Sequence, residues 1–65
     1  MIVDSSKDYL RGTVTLMFEG EQPSLSEINE YCRVHYGFVP VSVDIDLPND
    51  FLGYTNPGRV HCSPI

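Results

Sequence analysis

Positive charge is the first thing this chain lacks. Lysine and arginine number 4 against 9 aspartates and glutamates, leaving a net charge of -5 over 65 residues. Lys7, Arg11, Arg33 and Arg59 make no basic stripe of the kind a nucleic-acid binder needs beneath its stacking aromatics, so direct nucleic-acid binding is disfavoured. Cysteine is scarce too. Cys32 and Cys62 stand at no redox or zinc spacing, and in a reducing compartment they are expected as two small buried hydrophobes. No apolar stretch approaches membrane-spanning length, and Met1-Ile2-Val3-Asp4-Ser5-Ser6 lacks the basic and apolar regions of a signal peptide. The expectation is a cytoplasmic protein with no membrane partner. Phosphate loop, dinucleotide fingerprint and nucleophile elbow are all missing. An enzyme is therefore the disfavoured class, with no catalytic residue and no cofactor expected.

What is present suffices for one small α+β domain over residues 1–65, near the lower limit for folding without staples. Its 42% hydrophobic content is ordinary for a globular chain. The run Val39-Pro40-Val41-Ser42-Val43-Asp44-Ile45-Asp46-Leu47 is the most informative segment. Val39, Val41, Val43, Ile45 and Leu47 alternate with Ser42, Asp44 and Asp46, which predicts a strand with one face in a core and one in water. A second strand is predicted over Thr13–Glu19, with Val14, Leu16 and Phe18 inward and Thr13, Thr15, Met17 and Glu19 outward.

Between them lies a helix signal from Leu25 to Tyr36. Ser24 and Glu27 form a capping box, and Leu25, Ile28, Cys32 and His35 make an apolar stripe flanked by Tyr31. Gly37 supplies the left-handed stop, and Phe38 folds back on the last turn. Residues 1–12 show no period, and Asp8-Tyr9-Leu10 is expected as a turn over one end of the core. Asn56-Pro57-Gly58 reads as a type II turn, followed by a short strand at Arg59–Cys62 that could hairpin with residues 52–55. One helix packed on a sheet of about three strands, in the order β-α-β-β, is the predicted architecture.

Several constellations resemble chemistry and fail on geometry. Cys32, His35, His61 and Cys62 carry zinc-type atoms, but neighbours in a strand point to opposite faces, so His61 and Cys62 cannot readily serve one ion. No metal is expected. Cys32 sits late in an acidic helix, where a thiolate is disfavoured. Asp44 and Asp46 have no Ca²⁺-binding loop around them and are too solvated for pKa tuning.

Electrostatically that pair is more informative. Residues two apart on a strand lie about 6.6–6.8 Å apart, close to the step between successive phosphates. Glu19, Glu21, Glu27, Glu30 and Asp50 are expected to extend the array, and between Gly12 and Gly58 only Arg33 opposes the acids. Such a surface is attracted to basic protein grooves. In size, acidity and want of catalytic residues the chain resembles the small phage-encoded anti-CRISPR proteins, some of which mimic nucleic acid or cover the target-recognition surface of a Cas complex. The resemblance is one of overall character and covers no aligned motif. It implies a stoichiometric inhibitor in the bacterial cytoplasm, bound to a basic nucleic-acid-binding protein or a type I Cas complex. Asp44, Asp46, Glu19, Glu27, Glu30 and Asp50 would form its acidic face, with Tyr31 as an aromatic contact. The alternative is a regulatory or structural interaction module that binds a partner, or itself, through aromatic residues or an exposed strand at Thr13–Glu19 or Arg59–Cys62. A monomer is favoured over a homodimer.

Overall fold

Val14, Leu16 and Phe18 are fully buried and their neighbours are not, so the period-two signal at the second predicted strand is realised as a core-facing strand. The computed structural model describes residues 1–65, in the order β1 (Ile2–Asp8), β2 (Thr13–Phe18), α1 (Leu25–Tyr36), β3 (Ser42–Asp46), β4 (Asn49–Phe51), β5 (Tyr54–Asn56) and β6 (Gly58–Ser63). The fold is α+β, with a sheet larger than the expected three strands. Four strands pair in the order β1-β2-β6-β3, and β4 with β5 makes a separate two-stranded hairpin. Every pairing is antiparallel. β2 and β3 therefore run parallel to each other with β6 inserted between them, so they are not neighbours.

The helix begins where expected. Ser24 accepts the Glu27 N–H at 3.2 Å, and Gly37, at φ 76°, closes the last turn by donating to Arg33 O at 3.1 Å. Ile28 and Cys32 are buried against Val14, Leu16, Phe18, Val60 and Cys62, and Tyr31, Tyr36 and Phe38 pack around that cluster. The ends of the predicted stripe do not join the core: Leu25 and His35 are exposed. The fully buried strand residues come from β2 and β6 alone, which a short stripe covers.

Five further expectations are corrected. Residues 2–8, read as patternless, form β1, because a bulge between Ile2 and Asp4 shifts the period and puts polar Ser5 toward the helix. There Ser5 Oγ lies 3.0 Å from Tyr31 Oη and 2.7 Å from Tyr36 Oη, so the hydroxyls satisfy one another. The turn after Asp8 exists, held by Asp8 Oδ1 accepting from Leu10 N and Arg11 N, but Tyr9 and Leu10 project into solvent instead of covering the core. In the Val39–Leu47 run only Val43 and Ile45 turn toward the core; Val39, Val41 and Leu47 lie outside β3 and are exposed. Gly58 is not left-handed and makes no type II turn; it is buried and opens β6. Finally, β6 pairs with β2 and β3, not with residues 52–55, so β2 and β6 are interior strands and the open edges belong to β1 and β3. No helix is long and apolar enough to cross a membrane.

Candidate functional site

The helix lies on one face of the four-stranded sheet, and nothing in the chain covers the other. Pairing register sets out that open face in rows. Asp4, Met17, Arg59 and Asp46 stand side by side across the strands, then Ser6, Thr15, His61 and Asp44, then Asp8, Thr13, Ser63 and Ser42. Carboxylates thus run down both edges, Asp4 and Asp8 on β1 and Asp44 and Asp46 on β3, with a mostly polar stripe between. The two edges are three inter-strand steps apart, about 14 Å at 4.7–4.9 Å per step. The phosphate-bordered major groove of B-DNA is of the same order, about 12 Å wide.

Local contacts decide which carboxylates are free. His61 Nε2 donates to Asp46 Oδ2 at 3.0 Å, since a carboxylate can only accept, and this leaves Nδ1 facing Thr15 Oγ1 at 3.5 Å. Asp8 is engaged with its own turn and lies 3.9 Å from Arg11. Asp4 accepts only the adjacent Ser5 N–H at 2.8 Å. Asp44 takes part in no side-chain hydrogen bond or ion pair. Asp4 and Asp44, one on each edge, are therefore the least compensated acids on the face.

The structure divides the acids and aromatic that the sequence grouped. Asp44 and Asp46 share the open face. Glu27, Glu30 and Tyr31 lie together on the helix side, lining a groove with Ile2 and Val34, and Glu30 is held by Arg33 at 2.7 Å. Glu19 follows the end of β2, where its N–H donates to Met1 O at 2.9 Å and its carbonyl accepts from the Met1 amino group at 2.9 Å. Asp50 belongs to the β4–β5 hairpin. Asp4 and Asp8 were missed. Their alternation with Ser6 was a signal, masked because the opposite positions Ser5 and Lys7 are polar as well.

The two cysteines offer no reactive group. Both are free and buried, with Cys32 on the helix and Cys62 on β6. Burial pushes the Cys62 thiol up to about 12, with Cys32 beside it reinforcing the shift, and burial raises Cys32 as well. His61, next in sequence to Cys62, points to the open face, as the pleat requires. No group of three or more metal-ligating side chains is assembled. No family model, curated protein or solved structure matches the chain.

Proposed function

We propose that the protein is a stoichiometric inhibitor whose open sheet face occupies the nucleic-acid-binding groove of a basic partner, as an anti-CRISPR protein would on the DNA-recognition surface of a type I Cas complex. The observation that carries the reading is the pair of carboxylate-bearing edges flanking an uncovered sheet face, with Arg59 the one positive charge within the face and Arg11 beside Asp8 at its margin. Charges placed this way can replace phosphates on the partner's Lys and Arg side chains, an attraction that weakens as salt rises. They also steer encounter more than they add intrinsic affinity. The function needs no bond-making step and no cofactor.

The test is displacement of labelled target duplex from a guide-loaded type I Cas complex, at about 50 mM and about 200 mM salt. The wild-type chain should displace the duplex, and less well at the higher salt. Asp4→Lys with Asp44→Lys reverses one free acid on each edge and leaves the Asp46–His61 pair intact. Displacement should fall at least tenfold, while stability changes by no more than about 0.5 kcal/mol per site. A double variant that displaces duplex as well as wild type reduces the face to solubilising surface and refutes the proposal.

A further inference from the structure

We propose that the β4–β5 hairpin is the protein's apolar anchor, its tip Phe51-Leu52-Gly53-Tyr54 entering an apolar pocket with a basic rim on the partner. The hairpin stands apart from the main sheet, and its substantial contacts are between its own two strands. Register pairs Phe51 with Tyr54 at the tip, Asp50 with Thr55, and Asn49 with Asn56 at the base. Alternation then places both aromatics on the same side as the asparagines, whose side chains are linked at 3.0 Å, and turns Asp50 and Thr55 to the other side. Phe51 is 67% exposed, Tyr54 75% and Leu52 81%. The cross-strand Phe51–Tyr54 pair can steady the hairpin itself, but most of the surface of both rings and of Leu52 still faces water.

The turn itself carries a second observation. Leu52 has φ 51° and Gly53 φ 81°, so both central residues are left-handed, as a type I′ turn requires. Asparagine is the favoured first residue there, and leucine holds that conformation only under strain. The sequence thus keeps an apolar side chain at the tip against local backbone preference. Pro48 and Pro57 flank the hairpin on either stem, and each fixes its own φ, which narrows the conformations open to both connections. Rigid presentation of exposed aromatics is what a binding anchor needs.

Charge and size select the occupant. A second copy also carries a charge of -5, and two or three side chains of roughly 150–250 Å² each fall short of the roughly 800 Å² per side of a stable interface. The tip must therefore be one part of a larger contact with an oppositely charged protein. Asp50 is the hairpin's only charge, and Asp46 lies at its stem, where the open face begins. The partner is accordingly the basic protein of the preceding section, on which this inference rests, with its pocket placed beside the groove.

The experiment measures dissociation from the immobilised guide-loaded type I Cas complex, beside thermal melting of each variant. Leu52→Asn should leave the melting temperature unchanged or raised, yet speed dissociation about tenfold. Phe51→Ser with Tyr54→Ser should weaken binding at least about thirty-fold, the size of a hot-spot loss, at every salt concentration. Asp4→Lys with Asp44→Lys should instead slow association and flatten its salt dependence. Hairpin variants that bind like wild type overturn the anchor and leave the acidic face standing. Loss with the hairpin variants alone refutes the acidic face and leaves the anchor. A Leu52→Asn chain that melts lower assigns Leu52 to stability and overturns the anchor, as does a wild-type chain that does not bind, which overturns both readings.

Discussion

Adding one methyl group at Gly58 should unsettle the whole sheet. Gly58 opens β6 directly opposite Phe18, the last residue of β2, and both are buried. Its backbone is not left-handed, so an alanine there meets no conformational penalty; the obstacle is space. A Cβ at this position would stand 2.5 Å from Phe18 Cε1 and 2.6 Å from Cε2, and closer still to Cζ, where ordinary contact begins at 3.4 Å. The ring has no exposed side to retreat to, being enclosed with Leu16, Ile28 and Val60. Overpacking of this kind costs about 1–3 kcal/mol. A chain of this length has roughly 3–10 kcal/mol in total, and each kcal/mol moves the melting temperature by about 4–8 °C. Gly58→Ala should therefore melt about 4–24 °C below wild type by circular dichroism. Phe18→Leu destabilises by itself, but in the Gly58→Ala background it should recover part of the loss, a coupling of about 1 kcal/mol or more. Melting within about 2 °C of wild type, or strictly additive effects, would refute the contact as the reason for glycine.

The buried thiols should resist iodoacetamide in the folded protein at about pH 8 and react freely in denaturant; labelling of the native chain at a free-thiol rate would contradict their burial. Because folding raises both thiol pKa values, the unfolded chain loses these protons first. Stability should hold below an ordinary thiol value of 9.0 and decline as pH climbs toward the Cys62 value of about 12, a decline that Cys62→Ala should flatten in alkaline urea titrations. Ser5→Ala removes the hydroxyl shared by Tyr31 and Tyr36 and should cost about 1 kcal/mol in urea. Tyr36→Phe in that background should cost less than it does alone, and equal costs would mean the three hydroxyls do not act together.

How much of this was legible follows from where apolar side chains carry the pattern. β2 and α1 could be read because Val14, Leu16 and Phe18, and then Ile28 and Cys32, repeat at the period of their element. β1 could not, because a bulge shifts its phase and Ser5, which faces the helix, satisfies hydroxyls instead of filling a core. Phe51 lies where the hydrophobic pattern weakens, and only the separate hairpin shows it exposed. Pro57-Gly58 carried a turn signal, yet the glycine is there to make room for a ring. Of the candidate site, Asp44 and Asp46 were legible from alternation within one strand. The division of Glu27 and Glu30 from them was not, since which face the helix takes is a property of the whole topology.

The insertion of β6 between β2 and β3 also governs how the chain can be built. Of the six strands, the one made last is flanked by partners on both sides. Until it emerges from the ribosome, β2 has only β1 beside it and β3 has no partner at all. Val60 and Cys62 are then missing from the hydrophobic cluster that would hold the helix. No smaller part of the sequence closes a core, and ladder partners such as Thr15 and His61 must meet across most of the chain. Folding should accordingly be a single late event, slowed by these long loop closures, with no stable half-made state along the way.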